Sequence, residues 1–306
     1  MRSLRAKRAS SSPSERVSAR SDKAAMEEFI AGLQSGPDRK ALLQNFPLTD
    51  RMLAQISALS VDMLGELTGR LEHDAPQLRA VFGVETEALS GIDFGLGDPH
   101  AGGRCVCKLS FGDRQIMYKP KSLASDVQFA AVLDSLNPHL TKSLRHFRVL
   151  DRTAYGWAEV VHFEPCSKPQ EIDDYYERLG AILAIHYALG ATDVHFENLI
   201  ACADTPIVVD TETIIQRPPP RPADEDWAYW NWHHIMSRHA TVLGVGLLPD
   251  LAVTPEGEVY DLSGAGSVGS QATPFQQPQF DGFDDGSPGI SYRPATLEAK
   301  ENMPVL

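Results

Sequence analysis

The sequence predicts an α+β fold in which a helical N-terminal region precedes a small sheet-rich lobe and a helical lobe, and three observations carry that prediction. Apolar residues recur at spacings of three and four between Lys23 and Leu89, as on the buried stripe of helices. Arg104–Phe111 and Arg114–Lys119 alternate around Gly112-Asp113, as the two strands of a hairpin do. A helix-period segment, Tyr175–Leu189, then stops at Gly190 and gives way to a polar loop and the β-branched run Ile207-Val208-Val209. A chain of 306 residues with 42% hydrophobic content has room for one large or two moderate cores. The expected organisation is a disordered basic tail over 1–22, a helical region over 23–95, a sheet-rich lobe over 96–165, and a partial helical lobe with a catalytic loop over 166–306.

In the first region Met26, Phe29, Ile30 and Leu33, then Met52, Ile56, Leu59, Met63, Leu64 and Leu67, are expected to face a core, with a break at Gly36-Pro37. Gly97-Asp98-Pro99-His100 reads as a turn. The hairpin after it ends at Lys119, before Pro120. Ser122 is placed to cap a helix through Leu123, Val127, Ala130, Leu133 and Leu136 that carries Asp126 and Asp134 but no Glu. Phe147–Leu150 and Trp157–Val161, about a turn at Tyr155-Gly156, complete the sheet. Phe163–Pro169 would connect the lobes and offer backbone groups to an adenine edge. Asp173 or Asp174 is expected to cap the helix ending at Leu189, whose His186 reads as a core histidine.

Downstream, Arg217–Pro222 is an extended proline run and Asp226–His234 is dense in aromatics. The His233-His234 pair lacks metal-ligand spacing. Gly264-Ala-Gly-Ser-Val-Gly269 matches the dinucleotide fingerprint, but Gln271–Pro278 cannot open the helix that fingerprint requires, so a flexible loop is expected. Asp281–Gly286 is out of register for an EF-hand and reads as an acidic turn.

A net charge of −13 argues against nucleic acid as a partner, because phosphate contacts need a basic face. No apolar run approaches the ~20 residues of a membrane-spanning helix, so no membrane insertion is expected. Cys105, Cys107, Cys166 and Cys202 lack zinc spacing and read as reduced thiols of a cytoplasmic protein. The Arg- and Ser-rich start has no apolar signal core; an organelle address is the minor reading of it.

The chemistry concentrates after Gly190. Asp193, then Asn198 five residues on, then a strand, then Asp210 and Glu212, follow the order in which protein kinases use a catalytic-loop Asp to take a hydroxyl proton, an Asn to hold a metal and a second Asp to hold the metals bridging ATP. The wording differs, with no His-Arg-Asp and no Asp-Phe-Gly. An isolated Asp/Asn pair would be a turn. Lys119 on an upstream strand supplies the phosphate-holding charge that an isolated turn would not have, where the plain alternative is a snorkelling surface lysine.

Asp98, His100, Tyr118-Lys-Pro-Lys-Ser122, Thr192-Asp-Val-His-Phe-Glu-Asn198 and Val209-Asp-Thr-Glu212, in this order, together with Leu247-Leu-Pro249 and Asp261–Gly264, resemble the dehydratase domain of class II lanthipeptide synthetases of the LanM type. The likeness covers most of residues 40–306. It implies a kinase-like, distantly lipid-kinase-like domain that uses ATP and Mg2+ to phosphorylate Ser and Thr of a leader-bearing precursor peptide and then eliminates phosphate. Lys119 would bind phosphate, Asp193, His195 and Asn198 would form the catalytic loop, Asn198 and Asp210 would hold metal, and Glu212 would assist transfer. Asp98 and His100 match a further functional pair of the family, tied more to elimination.

The family's dehydratase continues past the position of Leu306 and is followed by a zinc cyclase, so the resemblance implies a partner chain carrying the remainder or a cyclase, and phosphorylation without efficient elimination. Two other readings compete: a catalytically weak module that binds the precursor or a partner, and, more weakly, a hydrolase suggested by His195-x-Glu197, which lacks the Pro-Cys-x-x-Cys of the deaminases.

Overall fold

The computed structural model describes residues 28, 31–34, 36–100, 102–215, 236, 240–254, 257–281 and 289–306. The expectations for the basic tail, the proline run, the aromatic segment with His233-His234, and residues 282–286 of the acidic turn lie outside the described residues. The chain divides into two compact units, residues 1–63 with 273–295, and residues 64–272 with 296–306. The described residues are α+β, as predicted.

The first unit contains helix α1 (Gly36–Asn45), the opening of helix α2 (Pro47–Phe82), and most of the hairpin formed by β10 (Gly269–Asp281) and β11 (Gly289–Ala299). Gly36-Pro37 occupies the first two positions of α1. Proline is tolerated in a first turn, where its missing N–H has no intrahelical acceptor. The break falls at Phe46, whose N–H is held by the carbonyls of Leu42 and Leu43. Met52 and Ile56, expected in a core, are exposed, as is Leu64 just beyond this unit.

In the second unit the buried row of α2 is Leu67, Leu71, Asp74, Leu78 and Phe82, at steps of three and four. Asp74 is fully buried there, and accepts from Trp157 Nε1 at 2.8 Å and the Tyr155 hydroxyl at 3.0 Å, with Arg152 Nη2 2.9 Å away. A polar residue on an apolar row is held because the sheet brings its donors.

That sheet runs in the order β1-β2-β3-β5-β4 and is antiparallel throughout: β1 (Leu89–His100), β2 (Arg104–Phe111), β3 (Arg114–Lys119), β4 (Val149–Asp151) and β5 (Gly156–Glu159). The predicted hairpin has the predicted bounds. Alternation places Cys107, Leu109 and Phe111 of β2 inside. The helical reading up to Leu89 overran, however, since α2 stops at Phe82 and β1 starts at Leu89. Gly97–His100 belongs to β1, a bulged strand with shifts in its pairing, and the turn lies beyond it, at Gly102-Gly103.

Helix α3 (Ala124–Leu136) follows β3. Ser122 Oγ accepts from Ala124 N at 3.2 Å, and Asp151 Oδ1 accepts from Leu123 N at 2.7 Å, so a β4 residue shares the capping expected of Ser122 alone. Helix α4 (Pro169–Leu189) begins earlier than predicted, with Pro169 at its first position and Glu171 Oε2 accepting from Ser167 N. Asp173 and Asp174 are therefore internal. Gly190 ends the helix in the left-handed conformation at φ 71°.

Buried Tyr175, Leu179 and Ile182 of α4 meet Phe129, Leu133, Leu144, Val194, Leu199, Val208, Val245 and Leu247 in the main core. His186 is a core histidine as expected, with Nδ1 2.8 Å from the Ile182 carbonyl and its ring edge-on to Phe129. Burial pushes its pKa down, which keeps it neutral. All four cysteines are free thiols. No helix among the described residues is long and apolar enough to cross a membrane.

Candidate active site

The loop after Gly190 is fixed at both ends by the segment Val209–Thr213, which follows the hairpin of β6 (Leu199–Cys202) and β7 (Thr205–Val208). Thr192 N donates to Thr213 O at 3.2 Å, and the Thr213 hydroxyl donates back to Thr192 O. At the other end Val209 N donates to Asn198 O at 3.0 Å. Asp193–Asn198 and Asp210–Glu212 thus face each other between two sets of backbone bonds. Val194 N donates to Val245 O at 2.9 Å and Phe196 N to Leu262 O at 3.3 Å, which hold the loop from behind.

The predicted fingerprint glycines serve this support. Gly264 lies so close that a Cβ there would meet Val194 O at 2.7 Å. The expectation of a flexible loop fails, because Asn302 Nδ2 donates to both Gly264 O and Ser267 O at 2.8 Å, and Gly264 N donates to Gly246 O at 3.0 Å. Strand β10 comes after the glycines, so the dinucleotide geometry is absent there.

Within the loop, Asp193 has φ 67°, an uncommon conformation that Asp tolerates better than most residues. Its carbonyl accepts from Asn198 Nδ2 at 2.9 Å, which orients the Asn198 amide and turns its oxygen away from that bond. His195 Nδ1 accepts from Glu197 N at 3.2 Å and so carries no proton, leaving the neutral ring's hydrogen on Nε2, 3.8 Å from Asp193 Oδ1. The loop presents one carboxylate and one imidazole side by side.

Lys119 is buried at the end of β3, donates to Val209 O at 2.9 Å and has the Phe147 ring centre 5.6 Å away. Of the two acids that the sequence offers on the next helix, Asp126, on the first turn of α3, is the one whose charge acts on Lys119. It is buried and accepts from the Thr211 hydroxyl at 2.9 Å. Burial raises its pKa, and the nearby Lys119 charge and the Thr211 bond offset this only in part.

Lys121 lies beyond Pro120. Its Nζ is 3.0 Å and 3.3 Å from the two Asp210 oxygens and 2.6 Å from Glu212 Oε2. Burial pushes Asp210 up, but the charges of Lys119 and Lys121, the Lys121 bonds and the Glu212 amide outweigh that and hold its carboxyl below the usual range.

Of the eight predicted residues, Lys119 and Asn198 both bond the backbone of Val209, the residue before Asp210, and Asp193 and His195 share the loop of Asn198. Asp98 and His100 stand near the end of β1, with β2 between them and Lys119 and with His100 opposite Arg104. Sequence reasoning missed Lys121 and undervalued Asp126. The Lys-Pro-Lys spacing and the lone acid in the first turn of the next helix were the available signals.

In the connector, some backbone groups are already in use. Glu164 gives its N–H to Ala201 O and its carbonyl to Ala203 N, and Cys166 N donates to Val305 O, so those groups are committed internally and are not free for an adenine edge.

Residues 46–306 match the family described as a domain of unknown function, DUF4135. The chain belongs to this family. A relative within reach of sequence comparison is the lacticin 481/lactococcin biosynthesis protein LcnDR2 of Lactococcus lactis subsp. lactis, 34% identical over 131 residues, which are 40% of this chain and 14% of the relative. This DUF4135 chain thus matches a small part of a much longer protein.

The hard oxygen donors of the site suit Mg2+: the Asp210 carboxylate, the Asn198 amide oxygen and Glu212. An ammonium already rests between Asp210 and Glu212, so the position attracts positive charge. No group of three or more His, Cys, Asp or Glu residues with metal-holding geometry occurs among the described residues, so a cation held by Asp210 and Glu212 would need the amide and further ligands that are not such side chains.

Proposed function

We propose that the chain takes part in lanthipeptide biosynthesis as a kinase-like phosphotransferase that moves the γ-phosphoryl group of ATP to Ser and Thr hydroxyls of a precursor peptide, the first half of dehydration. The observation carrying this reading is the joining of Lys119, Lys121 and Asp126 to Val209–Glu212, with the Asp193–Asn198 loop fastened across from them. The relative's role in lacticin 481/lactococcin biosynthesis supports the choice of pathway and a peptide as acceptor.

Phosphoryl transfer needs little covalent work from a protein; it needs positive charge around the phosphates and an aligned hydroxyl. Lys119 meets the first need as a buried cation held in place by Val209 O, with the Asp126 charge nearby. Asp193 meets the second: its carboxylate takes the proton of the attacking Ser or Thr as the new O–P bond forms and ADP leaves. His195, whose Nε2 stands 3.8 Å from Asp193 Oδ1, is the polar neighbour of that carboxylate. Asn198 and Asp210 are the residues to hold Mg2+, which supplies charge neutralisation at the transferring group, and Glu212 assists from the same edge. Asp98 and His100, from their separate strand, are reserved for the later elimination of phosphate.

A second reading, a module that binds the precursor or a partner chain without turnover, draws on the pairing of Lys121 with both acids, which leaves them half neutralised. Calorimetry with MgATP and mass spectrometry of a co-expressed precursor separate the two. Phosphate gains on Ser or Thr that vanish in D210N and N198A, with unchanged circular dichroism, are the expected result. Unmodified peptide with no nucleotide binding refutes the transferase.

A further inference from the structure

Two lysines flank Pro120, and they do different things. Lys119 is bonded to a backbone carbonyl and offers nothing directly to the acids, whereas Lys121 makes three contacts within 3.3 Å to the Asp210 and Glu212 carboxylates. Two carboxylates and one ammonium leave this edge with one net negative charge. Glu212 N also donates to Asp210 Oδ1 at 3.1 Å, so the acids are held as a unit around the lysine. The Lys121 side chain remains about a third exposed, at 35%, and Glu212 is more exposed still, at 58%, so the ammonium has room to leave.

Resting on the phosphotransferase reading above, we propose that Lys121 is a resident counter-ion of the metal-holding acids: it occupies them while the site is empty of nucleotide, keeps a free divalent cation out, and moves onto the phosphates when the cation arrives together with ATP. The geometry requires this exclusivity. An ammonium 2.6–3.3 Å from these oxygens and a divalent cation at ligand distance from Asp210 would stand within a few ångströms of each other, and their repulsion forbids joint occupancy without a compensating anion. The triphosphate is that anion. Pro120 limits how far the backbone can adjust, since its φ is fixed, so the change falls to the Lys121 side chain. Lys121 is then a positioning residue that couples cation binding to nucleotide binding.

The test titrates Mn2+, as a probe for Mg2+, into the full chain with and without a non-hydrolysable ATP analogue, followed by electron paramagnetic resonance. Without nucleotide, K121M should bind Mn2+ about tenfold or more tightly than the wild type, which is about 1.4 kcal/mol; K121R, which keeps the charge, should stay near the wild type. With the analogue present the order should reverse, K121M holding the Mn2+-nucleotide pair more weakly. A purely structural lysine would move neither number in opposite directions. Unchanged Mn2+ affinity in K121M alongside normal analogue binding overturns the counter-ion role and leaves the phosphotransferase reading standing. Absence of any analogue binding by the wild type, with D210N indistinguishable from it, overturns both.

Discussion

Asp126 offers a sharp test of the electrostatics, because its effects on stability and on function should have opposite signs. Its carboxylate is 5% exposed, accepts from the Thr211 hydroxyl at 2.9 Å, and has its pKa raised by burial in spite of Lys119. A raised pKa means that the folded chain keeps the proton to higher pH than the unfolded chain does. The stability due to this group is therefore fully present below the ordinary aspartate pKa of 3.8 and declines as pH rises through the folded value. Asn mimics the protonated form, retains an acceptor for Thr211 and never ionises. Asp126→Asn should thus be as stable as the wild type or more so at pH 7, with the difference closing toward pH 4. Asp126→Ala removes the acceptor as well; a buried hydroxyl left unsatisfied costs about 1–3 kcal/mol, and the small cavity adds to it, for a total of about 2–4 kcal/mol. Both variants should bind MgATP more weakly, since the negative charge near Lys119 is lost. Urea unfolding at pH 7 and pH 4, with calorimetry for nucleotide, measures each part. An Asn variant destabilised by more than about 2 kcal/mol at pH 7, or an Ala variant equal to it, refutes the reasoning.

Gly156→Ala should cost about 1–3 kcal/mol in urea unfolding, because the added methyl would lie 2.5 Å from Leu123 Cδ1 and 3.0 Å from the Leu150 carbonyl; shortening Leu123 in the same chain should recover part of the loss, and strictly additive costs would show that the clash is not there. Burial alone would raise the pKa of Glu159, but the Arg148 hydrogen bonds and the Arg148 and Arg145 charges hold it below the ordinary 4.5. Its contribution is thus present above that pKa and is lost as pH falls through the lower, folded value. Because both arginines are about half exposed, Glu159→Gln should lower stability at pH 7 by only about 1 kcal/mol, with a flatter acid limb in thermal melts; an unaltered acid limb contradicts the assignment.

Legibility in the sequence depended on the range of the interactions. The β2–β3 hairpin was readable to the residue because alternation and a two-residue turn are local signals. The Asp193–Asn198 loop and Asp210 were readable as a spacing, since a short hairpin links them. The long stripe of α2 misled, because period alone cannot say whether a face meets a core, and Met52 and Ile56 are exposed. The start of α4 was missed because an internal Asp imitates a cap while the true first turn is opened by Pro169 and Glu171. Lys121 was hidden for another reason. Its partners lie 89 and 91 residues away, and only folding makes one lysine out of a Lys-Pro-Lys run the neighbour of both acids.

The β6–β7 hairpin imposes a rule on its own length. Leu199 pairs with Val208 and Cys202 with Thr205, the Ala203-Asp204 turn is bonded to Glu164 and Arg178, and the open end fastens Asn198 to Val209. Strand side chains alternate with a period of two, so one residue inserted into either strand would exchange the faces of every residue after it and carry Asp210 away from Lys121. Length here is quantised: unless a bulge absorbs the extra residue, as the shifted pairing of β1 does, the hairpin can grow or shrink only by residue pairs, one in each strand.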